Sequence, residues 1–446
     1  MDIKKGLVSV IAILFLTSIM VVAIPTNVSA SRTFVVTPSG GDDTENMQHA
    51  IDMAVSAGPR SVVLLTAGHF YCNNIVANGF HGTVKGAGMD ATYIDTLRGL
   101  GDGYPGLIKP VNILRNDFFT FVDSDLKMSD LTFDITAYEP AEVWSFELFG
   151  MYDLTYVGTI LQIPGNGDTE IVRVGFIAHD GTYTEGSGRY TNVEWALTRY
   201  SNPIFDGDVV SAEPNTGTFI VSDCHFEHVD AMGVAYLKDS YVKLTHNVLD
   251  GVVVGIEAND LLNSVVEISY NEIDVRWWSA IFCGQGVMAQ FSAGSPEEIF
   301  LGGLPANGVW LIHHNKFYLS EHADAIVLAD YGPMTWGEKS FNAIICDNEF
   351  NLDTDYEAVY GFYASNVKVM NNRFAGPNAL AGITLGWDYG EECSDWRIFC
   401  NDFASLNAAL ADIYLGPGTT DCKVMEAHGT SVIDLGTDNI VRTMKK

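Results

Sequence analysis

Six short segments in the second half of the chain share one signature: an asparagine, any residue, then a large apolar residue. They are THNVLD, SYNEID, HHNKFY, CDNEFN, MNNRFA and FCNDFA, with asparagines at Asn247, Asn271, Asn315, Asn348, Asn372 and Asn401. Successive asparagines are 24, 44, 33, 24 and 29 residues apart. Five residues before each Asn stand Val242, Val266, Trp310, Ala343, Val367 and Trp396. Three before stand Leu244, Ile268, Ile312, Ile345, Val369 and Ile398, and two after stand Leu249, Ile273, Phe317, Phe350, Phe374 and Phe403. Polar residues such as Lys243, Thr245, Glu267 and Ser269 lie between. Period-two alternation of this kind describes a strand with one buried face. Asn tolerates the left-handed region and bonds its own backbone, so it is expected to hold the bend that ends the strand.

After each bend comes a second apolar stretch, such as GVAYL from Gly233, GIEAN from Gly255, AIVLAD from Ala325, AVYGFY from Ala358 and GITLGW from Gly382. Repeats of several short strands and no helix, in one apolar register, describe a stacked solenoid. Its rungs lie about 4.8 Å apart, so the repeated asparagines should form a ladder, and Ile345 should be buried between Ile312 and Val369. The unequal spacings do not disturb this, because each doubling of a loop costs only about 0.6 kcal/mol. The longer gaps read as insertions at residues 285–308 and 330–339. Upstream, Cys224 takes the Asn place with Phe219, Val221 and Phe226 around it, and Leu131 does so with Leu126, Met128 and Phe133. Residues 138–200 keep no clear register and read as one or two coils with long excursions. Near the start, Asp42 to Thr44 give a helix N-cap signal. Met47, Ala50, Ile51, Ala54 and Val55 form an apolar stripe, and Gly58 ends it. Such a helix would seal the open end of the first coil, ahead of the strand Ser61–Leu65.

The first 30 residues have a different character. Two lysines, an apolar run from Leu7 to about Ile24, and the small-residue pattern Val28-Ser29-Ala30 match a secretory signal peptide. Residues 1–30 are therefore expected to direct export, leaving 31–446 as one domain, secreted or at the cell surface and without a membrane span. The formal net charge is −32. Removing Asp2, Lys4 and Lys5 takes away one positive charge and leaves about −33, a surface that repels nucleic acid and anionic membranes. The seven cysteines are spread out with no CxxC pair. They read as buried free thiols, with room for one bridge such as Cys393–Cys400.

The stretches DDTENMQHAIDMA, VVLLTAGHFY and VKGAGMDATYID, followed by Asn-x-apolar coils, resemble proteins of the pectate-lyase-like superfamily. The resemblance covers most of residues 33–430, loosely in 138–200. It implies an all-β fold: a single-stranded right-handed parallel β-helix (solenoid) of roughly ten to twelve coils, with an N-terminal capping helix and loop insertions. It is specific for fold rather than activity, since such helices occur in polysaccharide lyases, glycoside hydrolases, epimerases, adhesins and phage spikes. The Asn-Thr-Asp, Gly-His-Gly and Arg-Ile-Lys set of polygalacturonases is missing, and FDGDVV (Phe205–Val210) supplies only two close aspartates. The Arg-x-Pro-x-x-Arg of calcium-dependent pectate lyases is missing too.

The resemblance also implies a glycan site on the outer face of the strand that follows the Asn bend. Its inward residues should be Val234, Ile256, Ile281, Ile326, Val359, Ile383 and Ile413. Its outward ones should include Ala235, Glu257, Phe282, Val327, Tyr360, Thr384 and Tyr414. Glu257, Asp324 and Arg276 are the candidate catalytic groups. Arg276 would be base or clamp in a lyase, whereas two carboxylates, Glu257 with Asp324 or Asp230, would serve a hydrolase. Trp278, Phe282, His322, Asp330, Tyr360, Trp387 and Asp388 are the candidate ligand-binding residues, and acidic loop residues could hold Ca²⁺. His322 with Asp324 reads equally as a turn-stabilising pair. The expected partner is a polysaccharide or surface glycan. Three readings stay open: a polysaccharide lyase or hydrolase, a non-catalytic glycan-binding module or adhesin, and a structural envelope protein.

Overall fold

The computed structural model describes residues 31–101, 118–137, 145–148, 152–178, 183–184, 189–199, 214–285, 307–330, 342–387 and 391–444. The signal segment and most of both expected insertions lie outside them. Arg32–Lys446 forms one compact unit. Its strands run almost entirely parallel, each paired with the equivalent strand one coil on. This is the expected single-stranded β-helix.

The apolar register is the spine of the stack. Phe34, Val63, Val84, Met128, Ile171, Val221, Leu244, Ile268, Ile312, Ile345, Val369, Ile398, Val424 and Val441 pair in succession. These fourteen rungs exceed the ten to twelve coils expected, because partial coils at both ends join the column. Ile345 has no exposed surface and lies between Ile312 and Val369. Behind the bend, Phe317, Phe350, Phe374 and Phe403 stack ring on ring, with centroids 4.9, 4.7 and 4.6 Å apart. The buried Trp310 and Trp396 each donate Nε1–H to a backbone carbonyl, of Ala258 and Ala364, so neither indole is left unsatisfied.

The asparagines form a single buried column. Each Oδ1 accepts two bonds from the Asn one coil earlier, from its backbone N–H and from its Nδ2. Asn315, for example, accepts both from Asn271 at 3.0 Å. Each Nδ2 also reaches back to a carbonyl of the preceding coil, as Asn315 does to Ile268 at 2.9 Å. The ladder runs unbroken from Asn247 to Asn401. Cys224 donates its N–H into the upstream end, and Glu426 receives Asn401 on both carboxylate oxygens downstream.

Three expectations change. The Asn does not itself adopt the left-handed conformation. The residue before it does: His246, Tyr270, His314, Asp347, Asn371 and Cys400 have φ between 56° and 60°, apart from Asp347 at 55°. A one-residue reversal there turns the chain and leaves the Asn side chain pointing inward, where its four hydrogen-bonding groups match the coil above and below. Second, residues 138–200 do contain a registered coil: Thr169, Ile171, Val174 and Phe176 pair with Leu126, Met128, Leu131 and Phe133. The Asn place is Val174, which carries no amide and so hid the repeat. Third, Cys393 is buried while Cys400 is exposed, and both are free thiols. Cys400 is a bend residue facing out, so it cannot reach an interior sulfur.

The helix Thr44–Ala57 buries Met47, Ala50, Ile51 and Ala54 against the first coils, and Val55 only in part. Gly58 follows at φ 82°, its N–H closing the last turn on Ala54 and Val55. Asp43 makes no side-chain cap bond. Its carboxylate instead accepts the N–H groups of Ser39 and Tyr71 and so ties the helix start to the coil below.

Two predictions follow from the ladder. Asn315→Ala leaves the donors of Asn271 and the carbonyl of Ile268 without their partner. At about 1–3 kcal/mol for each buried group left unsatisfied, urea denaturation should show a loss of about 3–5 kcal/mol. A loss below about 1 kcal/mol would mean that the ladder is dispensable. The second concerns Glu426, which is 2% exposed and whose carboxyl burial pushes up to about 7, against the opposing bonds of Asn401. The unfolded value is about 4.3, so the folded state holds the proton more tightly. The stability this gives is complete below about pH 4 and is lost as pH rises through about 7. Glu426→Gln should flatten melting temperature against pH across that interval.

Candidate functional site

The strand after each bend carries an outward column three residues downstream of a corner. Its members pair in the order Thr120, Gln162, Thr198, Gly233, Glu257, Phe282, Val327, Tyr360, Thr384 and Tyr414. The expected column is therefore correct from Glu257 onward and wrong at its first member. Gly233, not Ala235, pairs with Glu257, and Met232, not Val234, pairs with Ile256. The second strand of that coil begins two residues earlier than its apolar pattern suggests.

Three residues before this column lies a second one, at the corner where each strand starts. It contains Asp230, Val254, Ser279, Asp324, Glu357, Ala381 and Ala411. Asp230 Oδ1 accepts the N–H of Val254 at 3.1 Å, and Asp324 Oδ1 accepts that of Glu357 at 3.2 Å. Both carboxylates thus close the same corner, each binding the next coil. Asp324 and Glu357, on adjacent coils, are 9% and 6% exposed. Burial, followed by the nearby charge of Glu357, raises Asp324 far above the usual carboxylate range. Burial also raises Glu357. Asp230 is raised by burial and by the nearby charge of Glu257. Glu257, half-buried on the outward column, is raised to about 7 by burial. Asn259 places its Nδ2 3.5 Å from Glu257 Oε2, while its own Oδ1, like the Ser279 hydroxyl beside Asp324, has no hydrogen-bond partner among the described residues.

Aromatic side chains flank these carboxyls. The Tyr360 hydroxyl donates to Glu391 at 3.0 Å, and burial, then Glu391, Glu357 and Asp324, hold its proton on. Trp387 is 39% exposed and lies 5.0 Å from the Tyr414 ring. Phe282 and Tyr360 are partly exposed in the outward column.

The remaining candidates separate from this group. Arg276 stands before the corner, where it faces Asp274 and so lowers that carboxyl, which burial and Asp250 raise. None of the raised carboxyls owes any of its shift to Arg276 or to another cation. His322 bonds Asp355, at 2.8 Å, rather than Asp324. The chain reverses at Glu321, φ 56°; His322 just after it is exposed, whereas Asp324 is buried. Trp278 sits on the corner itself with φ 70° and is 43% exposed. Asp330 ends the strand Lys316–Asp330, its side chain lying outside the described residues, as does Asp388. Among the described residues, no three His, Cys, Asp or Glu side chains converge to hold a metal ion.

Glu357 is the site residue that sequence reasoning missed. A signal for Glu357 was present: it stands three residues before Tyr360, as Asp324 does before Val327 and Asp230 before Gly233.

No protein-family model matches the sequence. No curated protein matches it either. Solved structures do. The DFA-IIIase of Arthrobacter chlorophenolicus A6 in complex with DFA-III superposes with a TM-score of 0.50 at 10% identity, covering 94% of this chain and 100% of that one. The surface protein and adhesin PfbA of Streptococcus pneumoniae gives 0.50 at 12% identity, covering 83% and 97%. The chain has the right-handed parallel β-helix fold, as the N-terminal resemblance implies. At these identities the matches bear on fold alone. Among the described residues, no helix is long and apolar enough to cross a membrane.

The Asp324–Glu357 pair has a testable consequence for stability. Both folded carboxyls are raised, so their contribution is present at low pH and is lost as pH rises through the folded values. Asp324→Asn keeps an acceptor for the Glu357 N–H and removes the second ionisation. Its melting temperature should match wild type near pH 5 and exceed it above about pH 8. Parity at every pH would show that the two carboxyls are not coupled.

Proposed function

We propose that the protein is an exported, carbohydrate-active β-helix protein that cleaves an extracellular polysaccharide by acid–base hydrolysis. The observation that carries this reading is the buried Asp324–Glu357 pair on adjacent rungs, with Glu257 two rungs from Asp324 in the neighbouring column on the same side of the stack. With Asp324 protonated, as burial and the charge of Glu357 favour, Glu357 is the carboxylate that takes a proton from water. Glu257, raised to about 7 by burial, retains a proton to give to a leaving oxygen at neutral pH. Trp387, Tyr414, Tyr360 and Phe282 would cover the apolar faces of the sugar rings. A lyase would need a cation to stabilise an enolate beside these carboxyls, and Arg276 faces Asp274 instead. Export rests on the signal-like residues 1–30.

A non-catalytic glycan-binding or adhesin role is the second reading, favoured by the exposure of Trp278 and Trp387. Incubation with a polysaccharide panel, reading both binding and new reducing ends, separates the two. On the hydrolytic reading, Glu257→Gln and Glu357→Gln should each cut turnover by about 10²–10⁴-fold while glycan retention survives. Wild-type activity should fall above about pH 7 as Glu257 ionises. Retention without product in wild type, weakened by Trp387→Ala, would establish the binding role instead.

A further inference from the structure

The charge around this site restricts the kind of glycan it can take. Asp230, Glu257, Asp324, Glu357 and Glu391 occupy one side of the stack over neighbouring rungs. Among the described residues, no cation offsets the first four of them: their shifts come from burial and from one another. The basic side chains nearest in the stack are engaged elsewhere. Arg199, one residue past the outward column, is 1% exposed and donates to the carbonyls of Ile163, Gly167 and Thr216. Arg276 faces Asp274.

The polar groups that lack partners here are neutral: Asn259 Oδ1 and Ser279 Oγ, both in side chains more than nine-tenths buried, beside Glu257 and Asp324. A carbonyl oxygen and a hydroxyl suit sugar hydroxyls. Neither can neutralise a carboxylate.

We infer that the substrate is an uncharged glycan and that polymers of uronic acids are excluded. A uronate carboxylate would enter a poorly solvated site already bearing negative charge, where like charges repel far more strongly than in water. An amino sugar fails for the opposite reason. Its ammonium group would pair with the carboxyls, favour their ionised form and remove the proton that the acid must donate. A neutral chain leaves the protons of Asp324 and Glu257 in place. The inference rests on the hydrolytic reading for its chemistry, but it concerns recognition and can be measured without turnover.

The test uses the full chain and glycans matched in linkage: a neutral galactan or glucan, its C6-carboxylated counterpart, and an amino-substituted one. Affinity electrophoresis reads retention, and reducing-end release reads cleavage. Retention of a neutral polymer at least about tenfold stronger than of its carboxylated counterpart, a gap of about 1.4 kcal/mol, is expected at low salt and should narrow as salt screens the repulsion. Selective retention without cleavage would overturn hydrolysis and leave this inference standing. Equal or stronger retention, or cleavage, of the carboxylated polymer would overturn it, and so would cleavage of the amino polymer or retention of none of the three.

Discussion

The asparagine ladder is the interaction on which the rest of the structure depends. Each coil must turn sharply without leaving buried N–H and C=O groups unpaired, since such groups cost about 1–3 kcal/mol each. The side-chain amide resolves this because it is donor and acceptor at once. It accepts the backbone and amide N–H groups of one neighbour, donates to the next, and still reaches a carbonyl of the preceding coil. The left-handed residue just before it supplies the reversal. The strands on either side are thereby held at a fixed offset, which places Leu244, Ile268, Ile312 and Ile345 in one line and the phenylalanine rings face to face.

That fixed offset also builds the candidate site. Glu257, Asp324 and Glu357 belong to different coils and come together only because every coil leaves its bend in the same direction. Asp324 has two roles. It closes a corner by accepting the N–H of Glu357, and through that same placement its carboxyl meets the Glu357 carboxyl. Asp230 closes the equivalent corner against Val254, which has no carboxyl. One structural device thus yields a plain corner at one level and an acid pair at another. The difference is the residue that the next coil presents.

The chain's own pattern was sufficient for the interior and insufficient for the corners. Alternation around Asn247 to Asn401 specified the register, because a one-residue slip would turn every apolar side chain outward. It failed at Val174, where an apolar residue replaces the amide, and at Gly233, where extra apolar residues blur the start of the strand. Glu257 was recognisable as the ionisable member of an outward column. Arg276 and His322 were grouped with it by nearness in sequence, yet one faces Asp274 and the other bonds Asp355.

The sequence by itself determined the repeat, the capping helix and the parallel β-helix, because burial periodicity and amide chemistry are local properties that recur coil by coil. Only the tertiary structure decided which carboxyls meet. Asp324 and Glu357 are 33 residues apart, separated by a gap whose length carries no pattern. Their contact depends on the direction each chain takes at its corner and on the rise of a single rung. Both are set by backbone conformation at residues such as Glu321, a left-handed position that no motif marks.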